Sequence, residues 1–304
     1  MAEFSLGIVG LGTMGGPIAK RLENEGFAPQ VADPNPQTLQ SYVAEGGASP
    51  AATPLNLAQL SQVILLVLPD DAALREAVSG TNGIIHGLKP DAVVIDMSGT
   101  APRTGAALSR TLVSQGAHWV EAVPVGSPKD AVAGALKILV AGRTGPVDRA
   151  MPVLEALADQ VIRTGPVGTA PLAKALAGVI AGVNLIAAAE ALIVCKHLGL
   201  EPEAAIEALS SVSPAAGASA ETLTDQVLSR RFGSGYAMAA LLGDIDRLQD
   251  AARETGAPAP LLAAAREVFA AAKLNLESPG DHTEAVRWLE RIAKTELGAG
   301  STPE

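Results

Sequence analysis

Aromatic side chains are scarce, at 3% of 304 residues, so the core must be assembled largely from the Ala, Val, Leu and Ile of a chain that is 48% hydrophobic. Positive charge is also in short supply: 22 Lys and Arg face 32 Asp and Glu, giving a net charge of −10 and a pI near 5.0. Nucleic-acid binding needs clustered cations to displace counterions, so this balance argues against a nucleic-acid partner and reads as ordinary solubility. The single cysteine, Cys195, cannot close an intramolecular disulfide. Set in an apolar helical stretch before Lys196 and His197, it reads as a buried structural thiol, compatible with a reducing cytoplasm.

Other absences narrow the chemistry further. His86, His118, His197 and His282 are scattered without metal-ligand spacing, so no metal site is expected. No Gly-x-Ser-x-Gly elbow occurs, which leaves serine hydrolysis unsupported. Met1 to Ser5 has no basic n-region and leads straight into a strand, so a signal peptide is not expected and the location reads as cytoplasmic. Ala175 to Cys195 is about the length of a bilayer span, but it carries Asn184 and Glu190 and has no comparable companion. It reads as a long helix buried between protein surfaces, with no membrane partner.

What is present begins with Gly10-Leu11-Gly12-Thr13-Met14-Gly15, directly after the apolar run Leu6 to Val9. Glycine suits each place: Gly10 for the tight turn, Gly12 for backbone approach to a pyrophosphate, Gly15 for close packing of the next helix. Pro17 to Leu22 continues as helix, Gly26 stops it, and Pro29 to Ala32 forms a second strand ending in Asp33, which completes a βαβ unit. A carboxylate at Asp33 suits ribose hydroxyls and repels a 2′-phosphate, and no Lys or Arg occurs from Glu23 to Leu74 to neutralise one. The expected cofactor is therefore NAD rather than NADP. The competing reading is a glycine-rich turn with no ligand.

Length favours two domains. In the first half, short apolar runs at Val63 to Leu68, Ala92 to Ile95, His118 to Val120 and Leu136 to Val140 alternate with helices such as Asp71 to Ser79 and Thr104 to Gln115, up to about Val161. Continuous apolar runs fit parallel strands buried on both faces, hence an open, doubly wound, mostly parallel sheet. After Gly165-Pro166-Val167-Gly168 the pattern turns helical: Pro171 to Leu198, Glu201 to Ser211, Ala220 to Arg230, Ala237 to Thr255, Pro260 to Asn275 and His282 to Lys294. The expected layout is a dinucleotide-binding domain over 1–164, a long interdomain helix over 165–198, an all-α domain over 199–297 and a flexible tail over 298–304.

Several motifs occur in a fixed order: the glycine loop, Leu68-Pro69-Asp70, Asp96-Met97-Ser98 with Pro102, Glu121-Ala122 leading to Gly126, Gly165 to Lys174, and Gly243 to Pro258. Together they resemble the β-hydroxyacid dehydrogenase family, which includes 3-hydroxyisobutyrate dehydrogenase, tartronate semialdehyde reductase and, more distantly, 6-phosphogluconate dehydrogenase. The resemblance implies an NAD(P)-dependent dehydrogenase of small acids, built as an α/β Rossmann domain followed by an all-α domain and joined by a long helix. It also implies a homodimer or homotetramer, and a site in the cleft at the carboxyl ends of the strands. The cofactor contacts would come from Gly10, Leu11, Gly12, Thr13, Met14, Gly15, Asp33, Leu68, Pro69 and Ser98.

The resemblance makes Lys174 the catalytic residue, a general acid/base exchanging a proton with the substrate hydroxyl as hydride passes between the carbinol carbon and nicotinamide. Its apolar neighbours, Pro171 to Ala173 and Ala175 to Ala177, would partly desolvate the ammonium and drive its pKa down. The alternative is a lysine whose stem lies along the helix while its head reaches water. Substrate contacts are expected from Ser98, Val125, Gly126, Ser127 and Gly178, and here the chain departs from the family pattern. Val125 replaces a serine, with Ser127 as a shifted hydroxyl; Gly178 replaces an asparagine and Gly243 a lysine, while Gly99 replaces a threonine for which Thr100 offers a substitute hydroxyl.

These changes predict a larger, more apolar pocket, hence a small 3-hydroxy acid or a bulkier, less anionic alcohol. Arg230 and Arg231 offer an anion site if they turn inward, or else are solvated helix-end cations. Tyr236 either lines the pocket or packs against a helix. Two rival functions remain at this stage: an imine reductase on the same architecture, and an NAD-binding scaffold or sensor without turnover.

Overall fold

The computed structural model describes residues 4–212, 217–277 and 279–298. They fall into two compact units, 1–174 and 175–304. The expected tail lies outside the described residues from 299 onward.

The first unit begins with strand β1 (Leu6–Val9), helix α1 (Gly15–Asn24), β2 (Gln30–Ala32), α2 (Pro36–Ala44), β3 (Ser49–Pro50), α3 (Pro54–Leu60), β4 (Val63–Leu66) and α4 (Asp71–Ser79). It continues through β5 (Val93–Asp96), α5 (Pro102–Ser114), β6 (His118–Val125), α6 (Pro128–Ala133), β7 (Leu136–Gly142), α7 (Thr144–Leu157) and β8 (Ala158–Gly165). The eight strands form one sheet in the order β3-β2-β1-β4-β5-β6-β7-β8, parallel except where β6 meets β7. Strand order reverses between β1 and β4, the place where an open α/β sheet opens a crevice for a ligand.

Much of the local structure follows from helix-start chemistry. Proline opens α2, α3, α5 and α6, where its missing N–H costs nothing, and Asn35, Thr53, Asp70 and Ser127 cap the first turns of α2, α3, α4 and α6. β1, β4 and β5 are buried along their whole length, as their continuous apolar runs predict. Two core clusters cover the sheet. One includes Ile8, Ile18, Leu65, Ile95 and Leu154; the other includes Leu57, Ile64, Leu66, Val94 and Leu112.

Helix α8 (Thr169–His197) opens the helical region, followed by α9 (Pro202–Val212), α10 (Gly217–Thr222), α11 (Met238–Thr255), α12 (Pro260–Asn275) and α13 (Ala285–Ala293). Their core gathers around Phe269, which is fully buried with Leu241, Val286 and Ala189. Gly182 lets α8 come close, since a Cβ there would stand 2.8 Å from a Leu241 methyl.

Several boundaries differ from the sequence reading. β5 is Val93–Asp96 rather than Ala92 to Ile95, and β6 runs on to Val125 because β7 pairs with it antiparallel as far as Lys137. The helix expected over Ala220 to Arg230 instead starts at Gly217 and becomes π-helical over Leu223–Leu228. β3 and β8 have no counterpart in the apolar pattern. β8 is an edge strand whose side chains are mostly half-buried or exposed, so it lacks a continuous apolar run.

Candidate active site

The loops at the carboxyl ends of the central strands are tied to one another by short bonds. Gly10 N–H donates to Ala32 O at 2.9 Å, and Leu11 N–H donates to Asp33 Oδ2 at 2.7 Å, so the glycine loop is fastened to the end of β2. Ser98 Oγ accepts the Leu68 N–H at 3.0 Å and donates to Leu66 O at 3.3 Å, which fastens the end of β5 to that of β4. Asp71, Arg75 and Thr104 extend the bracing. Arg75 Nη2 donates to Thr104 Oγ1 at 2.7 Å, and the Thr104 hydroxyl donates to Asp71.

Within the loop the three glycines do different things. Gly10 has φ +95°, and a Cβ on it would lie 2.2 Å from Val67 O. A Cβ on Gly15 would lie 2.0 Å from Gly10 O, so the start of α1 presses directly on the turn. A Cβ on Gly12 would meet nothing within 4 Å. That open face, at a helix start with no side-chain cap and no acidic residue in its first turn, fits a pyrophosphate. Beside it lies a cavity of about 510 Å³, lined by Asp33, Pro34, Thr53, Leu68 and Glu76 among others. No cation is among its lining residues.

A second group of residues sits at the end of β5 and opposite it on β6. Asp96 and Glu121 are register partners on neighbouring strands, 2% and 1% exposed. Asp96 accepts the Ser98 N–H at 2.9 Å and the Thr100 hydroxyl at 3.2 Å, so that hydroxyl, proposed by sequence as a replacement anchor, faces the core. Glu121 Oε2 accepts the Gly168 N–H at 2.7 Å. Glu121 therefore satisfies the N–H directly before α8, the helix that carries Lys174 six residues beyond Gly168. Gly105 leaves room for it, since a Cβ there would stand 2.6 Å from Glu121 Oε1.

Burial drives the Asp96 carboxyl up to about 6, and burial followed by the charge of Asp96 drives Glu121 up to about 7. A raised carboxyl takes up a proton in the folded state that the unfolded chain releases, so its stabilising contribution is present at low pH and lost as pH rises through about 7. Glu121→Gln is expected to flatten the fall in stability between about pH 4.5 and pH 7, an effect on the order of 1–3 kcal/mol, in urea melts across that range. An identical slope in wild type and variant would refute the assignment.

The remaining sequence candidates fall as follows. Val125 is 40% exposed at the end of β6. Gly126, at φ +142°, makes the turn beyond it. Ser127 is committed to capping α6: its hydroxyl donates to Asp130 Oδ2 at 2.7 Å and accepts the Asp130 N–H at 3.3 Å. Lys174 is half-buried on α8. Cys195 is half-buried rather than fully buried.

The extra room expected at Gly178 is not there. A Cβ on it would meet the Tyr236 hydroxyl at 2.5 Å, so the phenol occupies that volume. Arg230 is bound to Glu290 at 2.8 Å and to Glu296 at 3.3 Å, and Arg231 to Asp225 at 3.4 Å, so neither is the open anion site that one reading offered.

Residues 5–165 match the NAD binding domain of 6-phosphogluconate dehydrogenase, and residues 168–289 match the family described as NAD-binding of NADP-dependent 3-hydroxyisobutyrate dehydrogenase. The 3-sulfolactaldehyde reductase of Escherichia coli is 30% identical over 98% of both chains. The chain belongs to the 3-hydroxyisobutyrate dehydrogenase-like β-hydroxyacid dehydrogenases. A second relative, the 2-(hydroxymethyl)glutarate dehydrogenase of Eubacterium barkeri, is 25% identical over 98% of this chain and 99% of its own. The structure of Mycobacterium tuberculosis 3-hydroxyisobutyrate dehydrogenase with L-serine shares the fold, with a TM-score of 0.83 and 23% identity over 95% of this chain and 99% of its own. As a member of this family the protein is an NAD(P)-dependent dehydrogenase of hydroxyacid or aldehyde substrates, with CH–OH as the donor group.

One residue with no assigned role in the sequence reading belongs to this group: Glu121, which accepts the N–H of Gly168 directly before α8.

Proposed function

We propose that the protein transfers hydride between NAD and the carbinol carbon of a small 3-hydroxy acid, with Lys174 as general acid/base. The observation that carries this reading is the placement of Lys174 on the opening turns of α8, just after Gly168, whose N–H is held by the buried Glu121 of β6. A bound nicotinamide supplies the hydride acceptor. The Lys174 amine takes the hydroxyl proton as the C–H bond breaks and the carbonyl forms, and returns that proton in the reverse direction. Because Tyr236 fills the volume beside Gly178, a compact acid suits the site better than the bulky alcohol that the glycine alone suggested.

The preference for NAD over NADP is supported by the cavity beside the glycine loop, whose charged lining residues are the carboxylates Asp33 and Glu76. Asp33 accepts Leu11 N–H at 2.7 Å and Asn35 N–H at 2.8 Å, which leaves lone pairs for ribose hydroxyls and opposes a 2′-phosphate. The purified protein, assayed with NAD+ and NADP+ against hydroxy acids and neutral alcohols, and with NADH and NADPH against cyclic imines, tests the proposal. Expected are turnover confined to C–O substrates and a kcat/KM ratio favouring NAD by about 10-fold or more, with that ratio falling by about 10-fold in Asp33→Ala. A preference for NADP+, or an unchanged ratio in the variant, sinks the cofactor assignment; turnover of imines alone sinks the substrate class.

A further inference from the structure

The helical unit contains a polar cluster that bears on what the substrate carries. Asp244 and Arg247 lie one turn apart on α11, and Arg247 Nη2 donates to Asp244 Oδ1 at 2.7 Å. The other Asp244 oxygen accepts the Tyr236 hydroxyl. Asp244 is 5% exposed, so its charge is compensated within the cluster rather than by water. Burial, then Asp244, raises the Tyr236 phenol above its ordinary range, which keeps it a donor to that carboxylate.

Tyr236 is itself held in place. Its carbonyl accepts the His282 N–H at 3.0 Å, its ring lies 5.3 Å from the His282 ring, and Asp281 binds the preceding Ser234 hydroxyl at 2.8 Å and the Gly235 N–H at 3.0 Å.

Two glycines frame the cluster. At Gly178, one turn beyond Lys174 on α8, a Cβ would run into the Tyr236 hydroxyl. At Gly243 a Cβ would meet Arg247 Nη1 at 3.6 Å and nothing else within 4 Å. Asp244 therefore holds one side of the guanidinium, while the Nη1 side borders the space that Gly243 leaves uncovered. A guanidinium whose orientation is fixed by a buried carboxylate presents its remaining N–H groups without first having to be ordered, and carboxylate is the planar acceptor that fits them.

We propose that Arg247, oriented by Asp244 and backed by Tyr236, is the specificity-determining residue that receives the carboxylate of the substrate. It restores, from one turn along α11, the cation that the sequence lacks at Gly243. The inference rests on the dehydrogenase reading for the chemistry it serves, and its test separates the two.

The probe is 3-hydroxyisobutyrate against its neutral methyl ester, titrated by calorimetry into the NADH-bound protein, where binding is read without turnover. Wild type is expected to prefer the acid. Arg247→Leu is expected to lose about 10- to 100-fold of that preference, with NADH affinity unchanged. Arg247→Lys keeps a cation beside Asp244, so it carries the same test if the leucine variant does not fold, and it is expected to lose part of the preference. A wild type that binds acid and ester alike, or a preference that survives in both variants, overturns the proposal. Failure of the Lys174 reading shows elsewhere, as turnover undiminished in Lys174→Ala, whatever the binding data give.

Discussion

Replacing Lys174 by alanine is expected to lower kcat by about 10²- to 10⁴-fold, with the dissociation constant for NAD within about 2-fold of wild type. The magnitude follows from the task. Without a positioned base the hydroxyl must release its proton to water as hydride departs, and general acid–base contributions of this kind are typically that large. The cofactor term is separable because the groups that fit a dinucleotide, Gly10 to Gly15 and Asp33, are fastened to β1, β2 and β4 rather than to α8. Stability should change little, since Lys174 is half-buried and helix-forming alanine suits its position. Stopped-flow hydride transfer and a primary deuterium isotope effect check the assignment together, because a slower chemical step must expose the isotope effect on kcat. A variant with unchanged kcat would remove Lys174 from the proton transfer.

Much of the first unit was legible because its signals are local. The run Leu6–Val9, the glycines at 10, 12 and 15, and Asp33 lie within one βαβ unit, and each glycine requirement reappears as a measurable clash or opening. The span Asp71–Ser79 is bounded as the pattern predicts, because Asp70 caps it and Gly80 ends it.

What was not legible depends on distant partners. Glu121 could be placed in a motif, but its partner is the N–H of Gly168, 47 residues further on, which no local pattern shows. Gly178 suggested an enlarged pocket because sequence shows which side chain is lost and not which neighbour moves in; Tyr236, 58 residues later, takes the space. At Gly243 the neighbour is local instead: Arg247, one turn along α11, would stand 3.6 Å from an added Cβ. β8 escaped because an edge strand buries too little to show an apolar run. The signals of the glycine loop thus lie within one βαβ unit, whereas what surrounds Gly178 depends on a residue far along the chain.

The glycine loop allows the sharpest separation of folding from binding, since two of its members should fail in opposite ways. Gly15→Ala places a methyl 2.0 Å from Gly10 O and 2.8 Å from Gly10 C, both backbone atoms that cannot rotate aside. The turn or the start of α1 must shift, and overpacking of this kind costs about 1–3 kcal/mol and often more, so the expected result is a lowered melting temperature together with weaker NAD binding. Gly12→Ala meets no atom within 4 Å and does not have a positive φ, so the fold should tolerate it and even gain about 0.5 kcal/mol from the reduced entropy of the unfolded chain. Yet the added methyl stands on the open face that fits the pyrophosphate, and its expected effect is a rise of about 10-fold or more in the dissociation constant for NAD. Thermal melts and calorimetric titration of both variants decide the matter. If Gly12→Ala binds NAD as wild type does, the open face beside Gly12 is not where the diphosphate lies; if Gly15→Ala melts with wild type, the contact between α1 and the turn is softer than its geometry implies.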